Sequence, residues 1–308
     1  MRKGKLSILL FAYNSGKRIE NTLNKMIEYF DHTGIDYEII VTDDGSTDNT
    51  YEIAKNYEKK YPGKIKVIRL SKNFTTPYAQ FAALSVCTGD CAVFAPDDMQ
   101  KPPELLHELY KLWQQGHQLI FPHRRSRKDG LISDFFSNLY YKIMNWFSDV
   151  QFPPGGTDGF LADREIIDIL NTKIHPINTS PTVEALRLGF DPVYFPYDRP
   201  PTKSKSRWTF KKKLRLAFDT FFTTSTFPIK IIAYLGLFTF LFSIFLIIGL
   251  LYIHYKKDGL LFGVEVRGWW FMVIFISLFS GLILFSLGII AEYIWRILDE
   301  TKNRPGYI

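Results

Sequence analysis

Apolar and polar positions change their period several times along the 308-residue chain. Short apolar or β-branched runs occur at Leu6–Tyr13, Tyr37–Thr42, Lys64–Arg69, Cys91–Ala95 and Gln118–Phe121. Between them lie longer stretches with helical spacing, at 18–30, 48–60, 76–87 and 103–115. Strand–helix alternation at this pitch predicts an α/β fold, a mainly parallel sheet with helices on both faces. Ligands of such sheets bind beyond the carboxyl ends of the strands. That rule directs attention to Tyr13–Ser15, Asp43–Ser46 and Pro96–Gln100.

The pattern changes further along. Phe136, Tyr140, Ile143 and Phe147 recur at helical intervals within 131–147, a stripe that suits either a core or a lipid surface. Ile231–Ile253 and Trp269–Ala291 are uncharged apolar runs of 23 residues each. About 20 such residues suffice to cross a ~30 Å hydrocarbon core, so both read as transmembrane helices. Between the alternating region and these runs, Leu214, Phe218, Phe221 and Phe222 share one face of a basic segment, as in an interfacial helix. The expected organisation is a globular domain over 1–210, an interfacial helix over 211–230, spans at 231–253 and 269–291, a loop at 254–268 and a tail at 292–308.

Charge gives the orientation. Lys and Arg number eight in 203–230 and three in 296–308, against three in 255–268. The excess places both flanks in the cytoplasm and the connecting loop outside, as expected of a multi-pass protein of the cell (inner) membrane with its front domain and both termini cytoplasmic. The basic segment Met1–Lys5 is followed by too short an apolar run for a signal peptide. Aromatic residues make up 16% of the chain, an excess that suits work at a membrane interface. The net charge of +7 fits anionic lipid or phosphorylated substrates. Because its clusters lie at 124–128 and 203–215, the second against the membrane segment, nucleic acid is disfavoured. Cys87 and Cys91 read as small buried residues, too few for a disulfide framework or a zinc site.

Two acidic motifs end predicted strands. In Asp43-Asp44-Gly45-Ser46, Gly45 supplies a turn and Ser46 or Asp48 a helix cap. The paired carboxylates can in addition accept hydrogen bonds from a base or ribose. Neither a GxGxxG nor a Walker sequence is present, which argues against dehydrogenases and P-loop enzymes. In Pro96-Asp97-Asp98-Met99-Gln100-Lys101-Pro102-Pro103-Glu104, Asp98 and Gln100 offer oxygen atoms to a hard divalent cation beside a diphosphate. The run Arg124-Arg125-Ser126-Arg127-Lys128 reads either as a solvated loop or as a phosphate grip.

Taken with Tyr13-Asn14, Asp158 ahead of Asp163-Arg164, Ser206-Arg207-Trp208 and the tail Lys302-Asn303-Arg304-Pro305, these motifs resemble the family 2 glycosyltransferases. The likeness spans nearly the whole chain. It is strongest to the polyisoprenyl-phosphate glycosyltransferases, which include dolichol-phosphate mannose synthases and bacterial undecaprenyl-phosphate glucosyltransferases. The resemblance implies a GT-A (Rossmann-like) domain, inversion at the anomeric carbon, Mg²⁺ or Mn²⁺, a UDP- or GDP-sugar donor and a polyisoprenyl phosphate acceptor. Carried over, Tyr13, Asp43 and Asp44 hold the nucleoside, and Asp98 and Gln100 bind the cation. Arg124, Arg127 and Arg207 contact phosphates, and Asp158 is the catalytic carboxylate. A homo-oligomer is compatible with this reading.

Three positions depart from the family pattern: Phe11 stands for a proline, Ser15 for an acidic residue, and Pro96 for the first aspartate of Asp-x-Asp. Asp97 either substitutes from a shifted backbone or leaves the cation with weaker ligands. Two alternative functions stand beside the main one. One is a glycosyltransferase elongating a lipid-linked saccharide or wall polymer, although the Gln-x-x-Arg-Trp motif of processive enzymes is absent. The other is a catalytically weakened relative serving as a membrane scaffold.

Overall fold

The structure is a computed structural model that describes residues 2–125, 159–177, 179–198, 260–261, 264–265 and 268–301, with isolated positions at 142, 146 and between 232 and 248. The chain divides into two compact units, Met1–Thr224 with Asn303–Ile308, and Ser225–Lys302.

In the first unit the elements run β1 (Leu6–Ala12), α1 (Ile19–Asp31), β2 (Tyr37–Asp43), α2 (Thr50–Lys60), β3 (Ile65–Arg69), α3 (Thr76–Val86), β4 (Cys91–Pro96), α4 (Pro103–Gln114) and β5 (Leu119–Arg124). They continue through β6 (Leu161–Asp163), α5 (Arg164–Thr172), α6 (Pro181–Arg187) and β7 (Pro192–Tyr197). Among the described residues one sheet has the order β3-β2-β1-β4-β6-β5-β7. All its pairings are parallel except those of β6, which runs against β4 and β5. The expected strands and helices of the first 122 residues are all present. β6, α5, α6 and β7 were not anticipated; β6 has only three residues, too few to show a period.

Both faces of the sheet are buried, which explains why β1, β2 and β4 are continuous apolar runs rather than alternating ones. Side chains of a strand point to opposite faces in turn. Ile8, Leu10, Ile39, Val41, Val93 and Ala95 accordingly join Leu23, Met26 and Phe30 of α1 and Leu106 and Leu109 of α4. Leu9, Ile40, Ala92 and Phe94 join Leu84 of α3 and Ile166, Ile167 and Leu170 of α5 on the other face. Cys87 and Cys91 are buried and unpaired.

A polar knot closes the amino edge of this sheet. Glu38 accepts hydrogen bonds from Ser7 Oγ at 2.6 Å, Lys5 Nζ at 2.9 Å and the Thr88 amide at 2.6 Å. Burial alone would raise its pKa, but these donors outweigh burial and hold it at about 2. Because the folded pKa lies below the unfolded value, the stabilisation is present above pH ~4.5 and is lost as pH falls towards 2. A shift of this size corresponds to roughly 3 kcal/mol. Thermal melts between pH 6 and pH 2.5 should show Glu38→Gln less stable at pH 6 and with a flatter acid dependence than the native chain.

In the second unit, β8 (Leu260–Leu261) and β9 (Val264–Glu265) form a short antiparallel ribbon. It is followed by α7, a helix of 34 residues from Gly268 to Thr301 that contains the whole apolar run 269–291. Met272, Ile276 and Phe285 on this helix are exposed. The described positions between 232 and 248 are also helical. Judged on the described residues alone, no helix is long and apolar enough to cross a membrane. The interfacial helix expected at 211–230 lies outside the described residues. So does the aromatic helix at 131–147, apart from Lys142 and Trp146.

Candidate active site

β1 is the switch point of the sheet: the chain moves outward through β2 and β3, then returns to β4 on the other side of β1. The crevice beyond such a point is the usual ligand site of open α/β sheets. Register places Asp43 beside Ala12 and Pro96 beside Phe11, so the two acidic motifs begin two strand spacings apart, roughly 10 Å. The loops are cross-bonded. Asn14 N–H donates to Ser46 Oγ at 2.9 Å, Ser15 N–H to Thr50 Oγ1 at 2.7 Å, and Gly16 N–H to Asp48 Oδ2 at 2.9 Å. Among the described residues, the non-glycine positions with positive φ are Asn14 (47°), Thr75 (84°) and Met99 (57°). All three lie in loops at this carboxyl edge, where backbone strain tends to gather at functional sites.

The paired aspartates have separate surroundings. Asp43 is fully buried, accepts from the Ser46 amide at 3.2 Å and has Arg69 Nε 3.2 Å from Oδ2. The Arg69 contact is an ion pair without good hydrogen-bond alignment, which leaves Oδ2 lacking a bonded donor. Burial raises the Asp43 pKa, against the lowering effects of Ser46 and Arg69. Asp44 was expected to hold the nucleoside as well. Both its oxygens grip the loop after β3, accepting from the Phe74 amide at 2.8 Å and the Thr75 amide at 3.1 Å. Burial is the main cause that lifts its pKa to about 6. Gly45, at φ 65°, lets this loop approach, because a Cβ there would stand 2.6 Å from Lys72 Cα. Thr75, at φ 84° and ψ 161°, occupies a region of backbone space nearly reserved for glycine. Thr75→Gly should relieve that strain and raise stability by about 1 kcal/mol, readable as a higher urea midpoint; a lowered midpoint would refute the strain.

The second acidic motif also divides. Asp97 is held by Ser15 Oγ and by Arg18, whose Nη2 lies 2.8 Å from Oδ2, while Thr22 Oγ1 donates to its carbonyl. Asp97 is therefore tied to the start of α1. Asp98 and Gln100 do come together: the Gln100 amide nitrogen donates to Asp98 Oδ2. Among the described residues no three His, Cys, Asp or Glu side chains could jointly hold a metal ion. The donor set is thus one carboxylate and one carboxamide. It suits a hard cation that keeps waters and takes its remaining oxygens from a substrate diphosphate.

Arg124 ends β5 at the same edge, in register with Tyr197. Arg127, Asp158 and Arg207 lie outside the described residues. Gly159 and Phe160, which follow Asp158, lead into β6 at the carboxyl edge of β4, the Phe94 amide donating to the Phe160 carbonyl. At Gly159, φ is 125° and a Cβ would meet Phe94 Cβ at 2.9 Å, so only glycine fits. Asp163 and Arg164 stand at the opposite edge: Asp163 caps α5 and accepts from Trp113 Nε1 at 2.7 Å, and Arg164 Nε donates to the Gly89 carbonyl at 2.9 Å. A cavity of about 330 Å³ lined by Lys5, Asp31, Tyr37 and Lys64 also lies at that edge, remote from the acidic motifs. Sequence reasoning missed Arg18, Arg69 and Lys101; the strand-end rule applied to β3 would have found Arg69.

The profile of glycosyl transferase family 2 matches residues 7–167. An uncharacterized glycosyltransferase, YkcC, of Bacillus subtilis (strain 168) is 30% identical, over 98% of this chain and 92% of its own length. The bactoprenol glucosyl transferase of Shigella phage SfX is 28% identical, over 99% of this chain and 98% of its own. Among solved structures, glucosyl-3-phosphoglycerate synthase from Mycobacterium tuberculosis, crystallised with Mn²⁺, uridine diphosphate and phosphoglyceric acid, superposes with a TM-score of 0.50. The identity is 20%, over 71% of this chain and 76% of that one, a likeness of fold alone.

Proposed function

The chain belongs to glycosyl transferase family 2, and from that premise we propose that it transfers a single sugar from a nucleotide-sugar to a polyisoprenyl phosphate at the cytoplasmic face of a membrane. The observation that carries this reading is the meeting of the two acidic motifs on one sheet edge, across β1. The bactoprenol glucosyl transferase relative, matched over nearly its entire length, supports the class of acceptor.

Asp43, with its buried oxygen lacking a bonded donor, is the group suited to a base or ribose N–H or O–H. Asp44 acts at one remove, by fixing the loop 72–75 against Gly45. Asp98 and Gln100 would hold Mg²⁺ or Mn²⁺, which when bound neutralises diphosphate charge and assists departure of the nucleotide. A phosphate monoester with a second pKa near 6 is largely dianionic at neutral pH and needs little deprotonation. The obstacle is repulsion: two like charges ~5 Å apart at an effective dielectric of ~20 repel by roughly 3 kcal/mol. Arg124, Arg127 and Arg207 are the side chains assigned to offset it, and Asp158 the one that orients the acceptor or takes a remaining proton. The uncharged 23-residue runs at 231–253 and 269–291 are assigned as membrane spans that keep the lipid substrate within reach.

The test is direct. Purified chain in detergent, given radiolabelled nucleotide-sugars and undecaprenyl phosphate, should yield a labelled lipid soluble in organic solvent. Label passing only to a preformed lipid-linked saccharide would favour the elongating alternative. Absence of both transfer and nucleotide-sugar binding would favour the scaffold, the reading that Pro96 and the committed Asp97 lend weight to.

A further inference from the structure

Arg69 and Asp43 are the last residues of β3 and β2 and stand opposite one another in register. Strand side chains alternate between faces, so such partners lie on the same side of the sheet. Arg69 Nε accordingly stands 3.2 Å from Asp43 Oδ2, and Arg69 Nη2 donates to the Ser46 carbonyl at 3.0 Å. The Ser46 amide donates to the other carboxylate oxygen at 3.2 Å, so the carboxyl group is fixed from both ends. The guanidinium in turn rests on the Tyr51 ring of α2, 4.7 Å from its centroid. As a stabilising device this pair is poor. The Arg69 side chain is 43% exposed, where an ion pair contributes little. Burying the Asp43 carboxylate with one oxygen short of a bonded donor is costly. An asparagine would keep the Ser46 hydrogen bond without burying a charge, so the charge calls for an account.

Donor recognition supplies one. An ionised carboxylate accepts a hydrogen bond roughly twice as strongly as a neutral group does. Asp43 is badly placed to stay ionised: burial raises its pKa, and Asp48 and the adjacent Asp44 add like charge. Against these stand the Ser46 hydrogen bonds and the Arg69 charge. Resting on the reading that this edge binds a nucleotide-sugar, we infer that Arg69 is a positioning residue for donor recognition, which holds the Asp43 carboxylate oriented and charged for the nucleoside. Its part is distinct from that of Arg124, Arg127 and Arg207, which are assigned to phosphates.

The experiment measures binding of uridine diphosphate, and separately guanosine diphosphate, to the full chain in detergent by equilibrium dialysis. It runs from about pH 6 to about pH 8.5 at a fixed, saturating Mg²⁺ concentration. Each variant is compared with the native chain at the same pH, so titration of the nucleotide's own phosphate cancels. Arg69→Gln should bind about three- to tenfold more weakly at the acid end and within about twofold of native at the alkaline end, where Asp43 ionises unaided. Arg69→Lys, which keeps the charge, should return the profile towards the native one. In an Asp43→Asn background, Arg69→Gln should alter affinity by less than about twofold, since no carboxylate is left to hold. A loss equal at every pH, no loss at all, a lysine variant no better than the glutamine one, or a full loss in the Asp43→Asn background overturns the inference. If the native chain binds neither nucleoside diphosphate, the proposed function fails and the inference falls with it. That outcome is distinct from native binding that Arg69→Gln leaves unchanged.

Discussion

Asp98→Ala should abolish metal-dependent transfer, with turnover falling by at least about 100-fold, the scale on which transition-state charge stabilisation is lost when one stabilising group is removed. The expectation follows from what its neighbours are doing. Pro96 offers no side-chain oxygen, and Asp97 is held by Ser15 and Arg18. Under the proposed function Gln100 would contribute a neutral amide, leaving Asp98 as the carboxylate assigned to the cation. In an enzyme with two carboxylates the second can partly compensate; here that reserve is missing. Turnover measured with radiolabelled donor across a Mn²⁺ titration, alongside Mn²⁺ binding, reads the effect. A variant that keeps full activity at native Mn²⁺ concentrations would remove the metal assignment altogether. Asp98→Asn should fall between the two, since it keeps an oxygen and loses the charge.

The second large effect concerns Asp158. Asp158→Asn should lower turnover by roughly 100-fold or more, the scale of a lost acid–base group, while the donor KM stays within about threefold. The substitution preserves shape and removes the negative charge, so the donor binding proposed for Asp43 and the metal motif would be untouched. Under the proposed function, the acceptor is the substrate that would lose its orienting group. Gly159, whose close approach to Phe94 leaves no room for a side chain, fixes the chain just beyond this position. Steady-state kinetics with each substrate varied in turn decides the matter: a change confined to donor KM would strip Asp158 of its catalytic role.

Much of the fold could be read from local pattern. β1, β2 and β4 are continuous apolar runs because helices cover both faces of the sheet, and their ends fall within a residue or two of expectation. β6 and β7 escaped because one has three residues and the other, at an edge beside β5, has a mixed burial pattern. For the site, the strand-end rule selected loops that the fold does gather at one edge, since each apolar run stops where the sheet's carboxyl edge begins. It did not distinguish Asp43 from Asp44, or Asp97 from Asp98. Adjacent residues of one type carry no local sign of which will be spent on structure.

That division belongs to the tertiary structure. The periodicity of the chain determined the elements, their order and the two long apolar runs, because side-chain direction repeats every two or 3.6 residues whatever the rest of the molecule does. The arrangement β2-β1-β4 decided the rest by bringing distant loops together: Ser15 and Arg18 reach Asp97 some 80 residues away, and Phe74 and Thr75 reach Asp44 across 30. A buried carboxylate must find donors wherever the fold supplies them. Its fate is therefore fixed by strand order and loop contact, quantities that no window of neighbouring residues contains.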